Sequence, residues 1–452
     1  MKLRHAIAAA LFCAYGTNAM AYDLLNDWPT KIKTDAGYEF GFKALYQYDL
    51  NSFSGDTLNP TNHAEILPDA NAWRRKEFNF YGKTPWGVDF NIGYDFTVSG
   101  FKAATVGVHG TWIDNFLRYS NKDYGDFRVG QFKTPVGWEE ANISSSATTF
   151  LDRALPVQAA NAGRRIGADW QYTSIPNWVF QLAYFSGGDL NGKNDGEGPA
   201  ARVAFAPFNR QPGQGSREES NVLHLGFTWQ NETRDATVDG RNPGVVTKPT
   251  ARFRARPEVN LGATRLVDAN LPFCYGDQST CDGNDINRFG IEAAYIHGPL
   301  LVQGEYLRFS TDYVTGKLSD HSAATHSYTG DGYYVQGSWV LTGESRPYSK
   351  GSIGNIRPIN DFGAFEVALR YSKVDLNDGI FAAASAGATP TPFGFGGEQS
   401  DWTIGANWYL GQHLKFQANY IWAKSTKRYG APINGDADVD PRIFALRAQI
   451  YF

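Results

Sequence analysis

The chain has 452 residues, a formal net charge of −4, 48 glycines, and 12 Trp, 24 Tyr and 30 Phe. That length allows one large domain or several, and the weak negative charge gives no basic footprint for nucleic acid. Mean hydropathy is −0.40, and beyond the first twenty residues there is no run of about 18 apolar residues. Helical membrane spans are thereby excluded, but not a barrel, whose hydrophobicity sits in alternate residues.

Met1-Lys2-Leu3-Arg4-His5 is a short basic segment, Ala6 to Gly16 is mostly apolar, and Ala19-Met20-Ala21 is a small-x-small cleavage site. Together they predict a secretory signal peptide over residues 1–21 and a mature chain from Tyr22. The apolar stretch is too short for a helical anchor. Bulky Phe12 before Cys13 argues against lipid attachment there.

Amphipathic strands follow one another through the rest of the chain. Tyr38, Phe40, Phe42, Ala44, Tyr46 and Tyr48 share one parity, opposed by Glu39, Lys43 and Gln47. Over residues 88–96 every even position is apolar or aromatic. Trp402, Ile404, Ala406, Trp408 and Leu410 repeat the pattern, as do Leu414, Phe416, Ala418, Tyr420 and Trp422. In the last strand Phe444, Leu446, Ala448, Ile450 and Phe452 oppose Arg447 and Gln449. Successive strand side chains point to opposite faces, so each strand has an apolar and a polar side. A terminal Phe closing such a strand resembles the insertion signal of bacterial outer-membrane barrels. A soluble sheet would need a covering layer, and no set of amphipathic helices supplies one.

Thr84-Pro85-Trp86-Gly87, Asn121-Lys122-Asp123, Ile175-Pro176-Asn177 and His297-Gly298 read as tight turns. Longer polar stretches lie at about 50–72, 98–108, 134–163, 187–200, 232–284, 311–330, 374–399 and 426–440. The alternation predicts sixteen strands, with 201–206 and 285–297 the weakest of them, in one domain over 22–452. The fold class is all-β, a transmembrane antiparallel barrel with short periplasmic turns and long extracellular loops, wide enough for an aqueous channel. Residues 381–397 are low in complexity and predict a mobile loop.

No HExxH, GxSxG, Walker or dinucleotide motif is present, so neither metal nor cofactor is expected. His321 and His326 read as solvated residues of a Ser/Thr-rich loop. Cys274 and Cys281, close together in an exported chain, suggest a loop disulfide. The charged constellations are arginines. Arg252, Arg254 and Arg256 alternate, so in an extended segment they form a one-sided row about 13 Å long; a solvated basic loop is the alternative. Arg74 and Arg75 enter a strand in which Phe78 and Phe80 face outward. Arg75 therefore shares the lumen parity of Glu77 and Asn79, while Arg74 falls near the rim or on a bend. The alternative is that one or both snorkel at the membrane interface.

At these residues the chain resembles the phosphate-selective porin O/P family. The likeness includes Trp73-Arg74-Arg75, Val129-Gly130-Gln131-Phe132-Lys133, Phe205-Ala206-Pro207, Gly304-Glu305-Tyr306-Leu307-Arg308, Leu341-Thr342-Gly343-Glu344 and Asn407-Trp408-Tyr409, in order along nearly all of the mature sequence. It implies a trimeric sixteen-stranded channel whose inward-folded loops narrow the lumen. It implies outer-membrane lipid and barrel-assembly machinery as partners, and small anions such as phosphate as solutes. In phosphate-specific members an Arg pair, an Asp and a Lys line the constriction below an arginine ladder. Arg74-Arg75 match the pair, Asp114 the Asp, and Arg252, Arg254 and Arg256 part of the ladder.

Glu140, in Gly137-Trp138-Glu139-Glu140-Ala141, stands where phosphate-specific members carry the Lys. An exchange of cation for anion at about 5 Å from a monovalent anion amounts to about 6–7 kcal/mol at an effective dielectric near 20, before screening. The expectation is an anion channel without a tight phosphate site, in which Glu140 pairs with Arg165 or another cation. A general or sugar-permeable porin and a plugged barrel enzyme or adhesin are the alternatives. Most aromatics have outward parity, which disfavours a sugar ladder.

Overall fold

The computed structural model describes residues 30–58, 65–97, 110–192, 196–211, 220–234, 237–238, 246–247, 250–275, 280–281, 285–318, 320, 322–382, 391–428 and 436–452. The signal segment 1–21, Cys13 and His321 lie outside these residues. Sixteen antiparallel strands close into a barrel. They are β1 Glu39–Gly55, β2 Ala70–Lys83, β3 Val88–Asp95, β4 Thr111–Asn121, β5 Gly125–Lys133, β6 Arg164–Tyr172, β7 Trp178–Ser186, β8 Glu197–Arg210, β9 Asn221–Thr233, β10 Asp285–His297, β11 Leu300–Lys317, β12 Ala323–Val340, β13 Ala364–Ala382, β14 Thr391–Leu410, β15 Leu414–Arg428 and β16 Pro441–Tyr451. Each pairs with the next, and β16 pairs back onto β1 from Leu45↔Tyr451 to Gly55↔Pro441. No backbone edge of the closed wall faces lipid, as a hydrocarbon surrounding requires.

The alternation seen in the sequence becomes the two faces of the wall. Phe78, Phe80, Ile92, Leu117, Val129, Trp402, Ile404, Phe444 and Ile450 are exposed on the outside, whereas Gln47, Asp49, Arg202, Glu292, Gln336, Arg370, Gln417 and Arg447 are buried inside. The terminal Phe452 takes part in this wall: its N–H donates to the Ala44 carbonyl at 3.0 Å, and its ring lies 6.4 Å from that of Phe42. Tight turns join the strands at one end. At the turn after β2, Gly87 has φ +88°, and a Cβ there would lie 2.5 Å from the Ser120 carbonyl oxygen.

Among the described residues three segments fold into the lumen: 134–163, 250–275 and 341–363. The last is a correction to the expectation of short periplasmic turns, since 341–363 enters from the tight-turn end. The Arg346 guanidinium there bridges Glu366 on the wall and the Ala147 carbonyl of the segment 134–163. A second correction concerns strand length. Much of 311–330 and 374–399, read as loops, belongs to β11–β14, which run to 18–20 residues each. His326 lies in β12 and residues 391–397 in β14, and 383–390 are outside the described residues. Inward positions here are apolar and their outward neighbours polar, which reverses the alternation: Leu307, Phe309, Tyr328, Val374 and Leu376 pack against Ala251, Phe253, Ala255 and Leu271 of the segment 250–275. The Phe253 ring stacks on Phe309 at 4.3 Å. Ile443 and Ala445 of β16 likewise face in, against Val259 and Leu266.

A charge placed on the lipid side of the wall should be far more damaging than the same change on a wet surface. Leu446→Arg is expected to cost about 2–4 kcal/mol of barrel stability if near the bilayer midplane, measured by reversible denaturant unfolding in lipid vesicles.

Candidate functional site

The segment 134–163 leaves the end of β5, turns through α1 (Trp138–Ala141) and α2 (Leu155–Ala160), and returns to β6. Backbone groups inside a barrel must find partners other than bulk water. The wall provides them. Glu305 accepts the N–H groups of Trp138 and Glu139, at 2.5 and 2.8 Å. Gln47 donates to the Ser145 carbonyl, Gln449 to Ser146, Lys415 to Thr148, Asn407 to Thr149 and Arg447 to Leu151. Many of the buried polar residues of the inner wall are thus docking groups for one loop.

That loop leaves a polar space of about 370 Å³ against β1–β6, lined by Lys43, Glu77, Asn91, Asp114, Lys133 and Arg164 among others. A smaller alcove of about 170 Å³ adjoins it and shares Asp114, Lys133 and Asn142. The expected constriction residues gather around this gap. Arg75 Nη1 meets Glu77 Oε1 at 2.8 Å. Arg74 Nη2 lies 3.6 Å from Asp152 Oδ2 of the inward loop. A β-bulge explains how two consecutive arginines both face the lumen. Gln47 pairs with Arg75 and Tyr48 with Trp73, so Arg74 is the extra residue and Trp73 stays outside. The sequence expectation of a bend is met, and interfacial snorkelling is excluded for both. Asp114 forms a two-point pair with Arg164, at 2.9 and 3.4 Å.

Glu140 takes the second of its two expected courses, pairing with cations other than Arg165. It does not pair with Arg165, which is engaged with Glu232 at 2.7 Å. Its Oε1 meets Lys133 Nζ at 2.9 Å and its Oε2 meets Arg153 Nε at 3.0 Å. Burial alone would raise the Glu140 carboxyl, but Lys133 and Arg153 hold it well below the usual carboxylate range. Asp152 behaves alike: burial opposes its charge, and Arg74 overrides this and lowers its pKa.

The inner hairpin of 250–255 and 267–272 carries the predicted row. Ala251, Phe253 and Ala255 face the wall, and Arg252 and Arg254 take the other side. Arg252 is held bidentately by Asp268, at 2.8 and 2.6 Å, and is 45% exposed. Arg256 Nε donates to the Ala263 carbonyl, and its backbone N–H to Gln158 of α2. Gln158 also donates to the Arg153 carbonyl, which ties the foot of the row to the constriction. Sequence reasoning missed Arg265. Burial, together with Arg256 and Arg254, pushes its guanidinium down to about 10, so it stands within their field. Its place in the turn of the hairpin gives no periodic signal. Asp152 and Arg153 were missed as well, because only the folded loop brings them to the gap, and so were Lys133 and Arg164 at the ends of β5 and β6 that flank that loop. Cys274 is disulfide-bonded, and Cys281 stands opposite it in the register of two short strands. Among the described residues no group of His, Cys, Asp and Glu could hold a metal ion.

Two outcomes follow. A carboxyl whose folded pKa is lowered keeps its ion-pair contribution above the unfolded value and loses it only as pH falls through the folded one. The charge of the gap should therefore stay constant between about pH 7 and about pH 5, seen as a constant reversal potential in a salt gradient. Glu305→Ala would strand two buried N–H groups, at a cost of about 2–4 kcal/mol. It should loosen the inward loop, recorded as a noisier open-channel current and a lower unfolding temperature.

A family model described as phosphate-selective porin O and P matches residues 40–452. Porin O of Pseudomonas aeruginosa is 26% identical over 485 aligned positions, covering 99% of this chain and 98% of that one. In architecture the chain is similar to the outer-membrane channel DcaP of Acinetobacter baumannii, with TM-score 0.52, 11% identity, and 94% and 100% of the two chains covered. It is also similar to an anion-selective porin from Comamonas acidovorans, with TM-score 0.51, 9% identity, and 92% and 100% covered. These last two likenesses concern the fold.

Proposed function

The chain belongs to the phosphate-selective porin O and P family, an outer-membrane β-barrel porin and a channel rather than an enzyme, and from that premise we propose that it passes small anions by diffusion through a water-filled lumen. Phosphate, polyphosphate and similar oxyanions are the solutes that suit it. The observation that carries this reading is the one-sided row of Arg252, Arg254 and Arg256, joined by Arg265, on a hairpin whose apolar face is fixed to the wall. Guanidinium forks replace part of an oxyanion's hydration with charge-assisted hydrogen bonds.

At the gap, Arg74, Arg75, Lys133, Arg153 and Arg164 face Glu77, Asp114, Glu140 and Asp152. With Lys43, which lines the same space, that is six cations against four carboxylates, a positive balance. Such a balance supports anion preference and speaks against tight phosphate capture. A homotrimer in outer-membrane lipid, delivered by barrel-assembly machinery, is the assembly this reading carries. The runner-up is a general porin without phosphate specificity, which the extensive pairing of these charges favours.

Changing Arg252, Arg254 and Arg256 together to Ala should lower anion-to-cation permeability in planar bilayers while heat-modifiable migration of the folded barrel is kept. The effect should be largest at low salt, since exposed charges are screened over about 10 Å at 0.1 M. An unchanged reversal potential would leave the general porin.

A further inference from the structure

Position 140 is where phosphate-specific relatives are expected to carry a cation, and here it is an acid. Yet Glu140 presents no free carboxylate to the gap. One of its oxygens is taken by Lys133 and the other by Arg153, so the three groups together carry one net positive charge. The other ion pairs around the gap, Arg74–Asp152, Arg75–Glu77 and Arg164–Asp114, are each balanced.

Lys133 occupies a special place in this arrangement. It ends β5, where the wall gives way to the inward loop, and it lines both the larger space and the alcove. An ammonium has three N–H donors. Two are directed at Glu140, at the carboxylate oxygen (2.9 Å) and at the backbone carbonyl (2.7 Å). The third is available to the lumen. Asn142, two residues beyond Glu140, lines the same two spaces, and its buried side-chain Nδ2 has no hydrogen-bond partner. A buried donor without a partner is costly, and a passing oxyanion would satisfy it.

We propose that Lys133 and Asn142, rather than position 140, form the oxyanion-binding step of the constriction, with Glu140 acting as the brace that holds the Lys133 ammonium at the gap. This deepens the anion-channel reading and rests on it. The ligand class is a small tetrahedral or planar oxyanion that accepts one bond from an ammonium and one from an amide. Glu140 limits the strength of the step, because it competes for the same ammonium.

The test uses the full-length porin in planar bilayers, with chloride current in a salt gradient and inorganic phosphate as the blocking probe. Lys133→Met should lower anion-to-cation permeability by about fourfold, the Boltzmann factor for one unit charge about 5 Å from the ion in water, and should abolish phosphate block. Lys133→Arg keeps the charge and should keep the selectivity. Asn142→Ala should weaken phosphate block several-fold and leave the reversal potential unchanged, a separation that a merely structural role would not give. Glu140→Gln should strengthen the block. Wild-type anion preference with the block unchanged in both Lys133→Met and Asn142→Ala would overturn the inference and leave the anion reading standing. A wild-type channel without anion preference would overturn both. Should Lys133→Met fail to fold, Asn142→Ala and Glu140→Gln decide alone, and no change in block in either refutes the proposal.

Discussion

Hydrocarbon offers no hydrogen bonds, and the rest of this structure follows from that. Every backbone group that crosses the membrane must be paired within the wall, so the strands close on themselves and their apolar side chains turn outward. The constraint does not end at the wall. Segments that enter the lumen bring their own backbone donors and acceptors to places with little bulk water, and these too must be matched. The inner wall meets the demand with long polar side chains: Gln47, Asn407, Lys415, Arg447 and Gln449 for carbonyls of the segment 134–163, and Glu305 for its amides. Where an inward segment is apolar on one side, as at Phe253, the wall answers with Phe309 and Tyr328.

The same economy governs charge. A lone buried ion is expensive, so nearly every cation near the gap has an acid within reach. Glu232 shows the pattern in full, holding Arg165, Arg234 and Arg288 at once. The result is a lumen rich in charge, most of it paired. Selectivity in such a passage depends on a few donors left over after pairing, and counting arginines gives a poor measure of it.

How much of this was legible in the sequence depends on which constraint a residue obeys. Strand parity was readable wherever lipid lies on one side and water on the other, as from Phe444 to Ile450. It misled along β11–β14, where Leu307, Phe309, Val374 and Leu376 face inward to meet a docked hairpin while Arg308, Ser310, Lys373 and Asp375 face outward, so the alternation persists with its phase reversed. The inward course of 341–363 left no periodic trace. Arg75 was placed by parity, and Arg74 by the bend that the bulge supplies. The partners of Glu140 could not be read, because Lys133 and Arg153 meet it only after the chain has turned through α1 and come back. Arg265 was hidden in the same way by the turn of its hairpin.

The inward loop also spans the seam of the barrel. Gln47 lies on the first strand, Arg447 and Gln449 on the last, and the side chains of Gln47 and Gln449 touch at 2.7 Å while Arg447 grips Asp49. All three also hold carbonyls of the loop. A cradle built from both ends of the polypeptide does not exist while those ends are apart. The loop's full set of partners is therefore complete only once the last strand has paired with the first.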